Sequence, residues 1–424
     1  MLSVLTRTLR LVAARWPVLL AWFLAGWLVR YALIEVAAFA GASSALLGLL
    51  ILPLAVLARL GSYIAMFLAL RDDMPAFRRV DASGLGTLEQ PAAGGRQRVS
   101  DIFLVSILPF FAFYAAWKLL GADVKSYAES ALGNMNPFAD GPSPTAAVLN
   151  LQLDAGTLAT IVVAFSGRFL IKRYAKSLPK WTNLVAVYLE AVWVFLTLFL
   201  ISNYTAGFQA WVSSRAAIQW YEQLKAAAFA VFAPFGWLWN GVEWAINEAG
   251  ALMLFPLAWL TLAGIVYGRA LTTPKIAYRP THRYYTGVRD RVVALPNGVR
   301  TRLKDVGADL TDRWRPLAGA VLLIWRAGVV PMGLFVLAYT VLDAAGTWLL
   351  LAGVRLIGPH DLYGWWMNFD DILVFVVSVL LEPLRLCLIA AAYDFCLRRL
   401  EERREAADVA ASVSGAQPEE TREL

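Results

Sequence analysis

Long apolar stretches alternate with short basic ones along the whole chain. A helix needs roughly 20 apolar residues to cross the hydrocarbon core of a bilayer. Eight runs meet that length: 17–41, 44–70, 102–121, 150–171, 183–202, 250–270, 318–343 and 371–395. The pattern predicts an all-α, polytopic integral membrane protein with a single transmembrane domain over 1–400. Composition agrees, because 59% of the 424 residues are hydrophobic and only 16% are charged. A soluble chain averages about half and a quarter. A surplus of this size cannot be hidden in a water-soluble core, and intrinsic disorder, collagen-like repeats and disulfide scaffolds are excluded with it.

The basic residues orient the runs. Short loops rich in Lys and Arg stay in the cytoplasm. The amino-terminal segment, the second, fourth and sixth loops and the tail together hold 29 of the 38 basic residues. The alternate loops hold only Lys125, Arg215, Lys225 and Arg355. Both termini are therefore expected in the cytoplasm. The first run has basic residues before it and Ala38-Phe39-Ala40 near its end, as a secretory signal would. Its length and its Arg30 and Glu35 suit a retained anchor better. The isoelectric point of 9.4 follows from basic loops facing an anionic leaflet, so no nucleic-acid partner is implied. Arginine supplies 30 of the basic residues in an Ala- and Leu-rich chain. That usage points to a GC-rich bacterial genome and so to a bacterial inner membrane.

Three inward-running helices share a local pattern: Pro53-Leu54-Ala55 with Gly61, Pro256-Leu257-Ala258 with Gly264, and Pro383-Leu384. Tyr393 falls after Pro383 where Tyr63 falls after Pro53. These echoes suggest four outward-then-inward hairpins in a parallel internal repeat. A proline removes one backbone hydrogen bond and bends its helix, so recurrent prolines would open a cleft on the outer half of the bundle.

Between the runs, residues 203–249 carry Trp211, Trp220, Trp237, Trp239 and Trp244 and read as helices lying in the outer interface, where indole rings favour the headgroup level. Residues 344–370, with Trp348, Trp365 and Trp366, form a second aromatic rim. Residues 122–149 read as an irregular outer loop. On the other side, 71–101 reads as a loop, and 272–316 as a basic loop or small subdomain whose alternating charges suit a solvated helix. The 272–316 loop and the outer aromatic segments are the expected contacts for other membrane proteins, beside membrane lipids. Residues 401–424 read as a charged, disordered tail.

Ionisable residues inside the runs carry the most information, since each costs at least ~2.5 kcal/mol at the bilayer centre if left to lipid. Arg30, Arg59, Lys118, Glu190, Arg326, Glu382 and Arg385 lie near mid-span, with Glu35, Asp154 and Asp394 nearer the ends. Glu382 and Arg385 are three apart and share a helical face. The candidate ligand or polar-network residues are thus Arg30, Arg59, Glu190, Arg326, Glu382 and Arg385. Two readings compete, with a proton relay through Glu190 and Glu382 as a third. In one, these groups pair with each other and fix helix register. In the other, surplus arginines line a cavity for an anionic or phosphate-bearing species, which a guanidinium binds through two hydrogen bonds.

Catalytic and metal signatures are missing from the sequence. Cys387 and Cys396 both lie in the last run, His282 and His360 fall on opposite sides, and no nucleophile elbow, zinc-protease motif or phosphate loop occurs. No cofactor and no catalytic residue is expected. The expectation is a non-enzymatic membrane protein handling a small solute or lipid as a transporter, channel or lipid-binding component. An accessory or scaffold subunit of an envelope complex is the alternative, and an enzyme acting on lipid-linked substrates comes third.

Overall fold

A computed structural model describes residues 2–76, 119–133, 155–174, 177–179, 181–215, 250–270 and 328–415. It also describes the single positions 106, 107, 110, 111, 114, 220, 239, 241, 242 and 244. These residues are almost entirely helical, and no strand occurs among them. In chain order the helices are α1 (Leu2–Ser43), α2 (Ala45–Arg71), α3 (Leu119–Gly133), α4 (Ala155–Arg173), α5 (Thr182–Ser213), α6 (Gly250–Ala270), α7 (Val329–Ile357) and α8 (Met367–Gly415). A π-helical turn, Leu362–Trp366, precedes α8.

Five segments are long and apolar enough to cross a membrane: Val4–Gly41, Ala45–Arg71, Thr182–Ile201, Val330–Ile357 and Phe369–Arg399. In α6 the apolar stretch is shorter, Leu252–Tyr267, and α4 has 19 residues ending on Lys172 and Arg173. The chain is an all-α membrane protein. Large apolar side chains such as Trp22, Leu28, Val163, Val341 and Leu380 are exposed on the outside of the bundle, as a lipid-facing surface requires. Leu19, Leu52, Phe67, Phe195 and Tyr267 are buried within it.

Element boundaries depart from the sequence reading in five places. The first helix begins near the start of the chain and passes through Pro17. Residues 122–133, expected as irregular loop, belong to α3. The expected outer segment at 203 is still helix α5 as far as Ser213. The seventh helix runs to Ile357, well past 343, and is bracketed by glycines that adopt left-handed backbone, Gly328 at φ 106° and Gly358 at φ 87°. Only glycine takes such angles without strain, and Pro359 then prevents continuation. Finally, α8 continues to Gly415, where a disordered tail from 401 is expected. At 1.5 Å per residue its 49 residues span roughly 74 Å, more than twice the ~30 Å core. Most of run 102–121, the start of run 318–343, all of loop 272–316 and residues 416–424 lie outside the described residues.

The bundle is assembled by small residues and aromatic pairs. Antiparallel α1 and α2 touch at Gly26 and Ser62, where a Cβ on Gly26 would overlap the serine side chain. Ser62 also donates to the Trp22 carbonyl at 2.9 Å. Small residues let helix backbones approach closely in a membrane. Gly346 and Gly353 of α7 do the same against Leu381 and Leu373 of α8. Three helices that each contain a proline, α2, α6 and α8, meet in parallel. Tyr63 packs edge-on to Trp259 at 5.2 Å, Phe67 to Tyr267 at 5.6 Å, and Tyr267 stacks on Tyr393 at 5.2 Å. Tyr267 also donates to the Phe67 carbonyl at 3.0 Å. In the α4–α5 hairpin, Phe165 meets Trp193 at 5.5 Å.

Candidate functional site

The helix contacts place polar groups from α1, α2 and α8 around one cavity inside the bundle. Phe23, Gly26, Trp27 and Arg30 line it from α1, Arg59, Ser62 and Tyr63 from α2, and Ser378 and Glu382 from α8. Its volume for a water-sized occupant is about 20 Å³. A single buried water needs about 10–15 Å³ on that measure, so one such occupant fits.

Arg59 sits on the same face of α2 as Tyr63, four residues on. Its Nε donates to the Tyr63 hydroxyl at 3.1 Å and its Nη1 to the Tyr114 hydroxyl at 3.0 Å. Both phenol rings also lie under the guanidinium, at 5.9 and 5.7 Å. Among the described residues no carboxylate forms a salt bridge with Arg59, and its Nη2 makes no hydrogen bond. The neighbouring cation is treated differently. Arg30 is 12% exposed and pairs with Asp123 of α3, which is fully buried. Arg30 Nε donates to Asp123 Oδ1 at 3.0 Å, and Nη2 donates to the same oxygen. The Tyr114 hydroxyl donates to Asp123 Oδ2. Asp123, Tyr114 and the two arginines thus form one hydrogen-bonded chain.

On α8, Glu382 Oε1 accepts from Arg385 Nη1 at 2.7 Å, the local pair that the spacing predicts. Arg385 Nη2 donates to Asp343 of α7 at 2.9 Å, and the guanidinium lies 5.4 Å from the Tyr339 ring. Glu382 Oε2 is buried and has no hydrogen-bond partner among the described residues.

Of the six residues singled out in the sequence, the fold gathers Arg30, Arg59 and Glu382 around the cavity and sets Arg385 beside it. Glu190 lies elsewhere, in a buried ion pair with Arg168 between α4 and α5. Arg326 lies outside the described residues, as do Lys118 and Asp154. Asp394, fully buried near the end of the apolar part of α8, accepts from Arg7 and from the Ala76 N–H at 2.9 Å. It ties together the start of α1, the segment after α2 and α8. Glu35 accepts from Ser130 of α3 at 3.1 Å. The residues missed by sequence reasoning are Asp123, Tyr63, Tyr114 and Ser378. Asp123 had a legible signal, because Val124, Tyr127, Ala128 and Ala131 repeat at helical spacing and are all buried.

Next to this network, the Tyr127 hydroxyl wedges against Gly41 and Gly48 at the turn between α1 and α2. Burial pushes the Tyr127 phenol above its ordinary range, so it stays protonated at neutral pH. Cys387 and Cys396 are free and buried. Among the described residues no group of three or more His, Cys, Asp or Glu side chains could hold a metal ion. Comparison of this chain with protein-family models, curated proteins and solved structures finds no match.

Proposed function

We propose that this chain is a multi-pass protein of a bacterial inner membrane that handles a small anionic or phosphate-bearing solute or lipid without chemically altering it. About eight spans in four hairpins, with both termini cytoplasmic, account for the division of 29 basic residues against 4 between alternate loops. One observation carries the ligand reading. Arg59 brings a positive charge to a cavity between three helices, and no described carboxylate neutralises it by direct contact. An arginine inside a bundle, held by two tyrosine hydroxyls with one nitrogen uncommitted among the described residues, suits a group that meets an anion. Gly26, which also lines the cavity, lets α1 approach α2 there, since a Cβ on it would overlap Ser62.

Binding measurements on the purified chain test this reading. Chloride and inorganic phosphate are titrated in detergent, and phosphatidylglycerol is titrated into nanodiscs of neutral lipid, so that free anion and lipid headgroup are told apart. The expected result is saturable binding in at least one arm, lost in Arg59→Gln and weakened in Arg59→Lys, which keeps charge but not the planar fork. No binding in any arm, or binding unchanged in Arg59→Gln, refutes the reading.

A scaffold role is the second reading, and the matched pairs favour it. Arg168–Glu190, Arg7–Asp394 and Arg30–Asp123 each join different elements through a buried acid, an arrangement that fixes register. Partner proteins retained through mild-detergent purification, together with no ligand binding, would support it.

A further inference from the structure

We infer that an anion entering the Arg59 cavity brings one proton with it, and that the proton resides on Glu382 Oε2. This deepens the anion reading above and rests on it. Among the described residues the charges around the cavity are already balanced. Arg30, Arg59 and Arg385 are matched by Asp123, Glu382 and Asp343. An added anion therefore leaves one negative charge uncompensated inside the bundle, where solvent cannot screen it. A proton on one of the three carboxylates restores neutrality.

Geometry selects which carboxylate takes it. Both oxygens of Asp123 are committed, Oδ1 to Arg30 and Oδ2 to Tyr114. Asp343 lies on α7, is 57% exposed and does not line the cavity. Glu382 lines it, and its Oε2 alone is buried without a partner among the described residues. The groups facing Glu382 are Arg385 on its own helix, Arg59 and Tyr63 from α2, Arg30 from α1, and Tyr339 and Asp343 from α7. A guanidinium offers donors only and a phenol has its own proton to give, whereas a carboxylate oxygen is an acceptor that can take one. Glu382 is thus the group in the cavity able to change charge. The step is a simple protonation: a proton from water forms an O–H bond at Oε2, the carboxylate becomes a carboxylic acid, and nothing is oxidised or reduced. The new O–H is a donor, so the group that repelled the anion then hydrogen-bonds to it. Room for one water-sized occupant favours a monovalent ion of chloride's size over phosphate.

Chloride is the probe, exchanged against gluconate at constant ionic strength with the full-length protein in detergent. Trp27 lines the cavity but is one of 17 tryptophans, so occupancy is read by titration calorimetry. One-proton linkage weakens chloride binding about tenfold for each pH unit of rise wherever the free site is ionised and the occupied one carries the proton. Calorimetry in two buffers of different ionisation heat should count one proton taken up per chloride. Glu382→Gln, which mimics the neutral acid, should bind chloride with no pH dependence and no proton uptake. No chloride binding at any pH overturns the inference, and the anion reading falls with it only if phosphate and phosphatidylglycerol also fail to bind. Binding with no proton uptake in the unsubstituted protein overturns the inference alone, whether or not the variant folds. Equal proton uptake in Glu382→Gln assigns the proton to another group and refutes the role given to Glu382.

Discussion

Replacing Asp123 by Asn is the sharpest test of how the polar network is held. Asp123 is fully buried and accepts from Arg30 Nε at 3.0 Å, from Arg30 Nη2 and from the Tyr114 hydroxyl. Asparagine keeps the volume but removes the charge, and one of its terminal positions becomes a donor facing other donors. Arg30, 12% exposed, then has no described carboxylate in contact. Breaking one partner of a buried ion pair costs about 3–5 kcal/mol, and that range is expected here. Arg30→Gln alone should cost less, about 1–3 kcal/mol. Its partner Asp123 still accepts from Tyr114 and still feels the field of Arg59. The double variant replaces two charges by two amides, so the cycle should show a coupling of about 2–3 kcal/mol, the upper end for contacting residues. Equilibrium unfolding by SDS in mixed micelles, followed by tryptophan fluorescence, measures all four proteins. A cost below about 1 kcal/mol for Asp123→Asn, or a cycle that is additive within error, refutes the pairing.

Two further outcomes separate packing from ligand handling. Gly48→Ala places a Cβ against the Tyr127 hydroxyl and 2.9 Å from the Ala37 carbonyl, so it should cost about 1–3 kcal/mol as overpacking. Tyr127→Phe removes a buried hydroxyl that has no hydrogen-bond partner among the described residues. It should be neutral or slightly stabilising and should recover part of the Gly48→Ala loss in the same unfolding assay. Glu190→Gln should destabilise the protein by about 3–5 kcal/mol through Arg168. Because neither residue lines the cavity, chloride affinity of the folded fraction should stay within about twofold, or about 0.4 kcal/mol.

What could be read from the sequence follows the range of the physics. A transmembrane helix satisfies its own backbone, so its presence is written locally, and α2 and α6 lie almost where their apolar runs predict. Glu382 and Arg385 pair because three residues bring them onto one face. Boundaries set by backbone geometry were harder to see. The end of α7 depends on Gly358 at φ 87° followed by Pro359, whereas Trp348, Trp365 and Trp366 gave that stretch the look of an interfacial rim. Helix α3 was obscured because Asn134, Asn136, Gly141 and Pro142 dominate the segment that contains it. The convergence of Arg30, Arg59 and Glu382 was out of reach. Each is an isolated charge in its own helix, and only the packing of Gly26 on Ser62 and of Trp27 on Phe375, rings 5.1 Å apart, brings α1, α2 and α8 together there.

That convergence also separates the two roles a buried charge can play in this bundle. At Asp394 and at the Arg168–Glu190 pair, acid and base are in direct contact. Sliding one helix past the other would strand both charges, so such pairs hold register. Arg59 differs because its direct partners are tyrosine hydroxyls, which are neutral. Its Nε and Nη1 reach the two hydroxyls at once, a span that the planar fork of a guanidinium covers and a shorter amide side chain does not. Its charge is balanced at a distance by Asp123 and Glu382, and it stands opposite the Glu382 oxygen left uncommitted among the described residues, so a charged species visiting the space between them would meet both groups. The cation and Glu382 would then answer that visitor together, one by attraction and the other by taking up a proton.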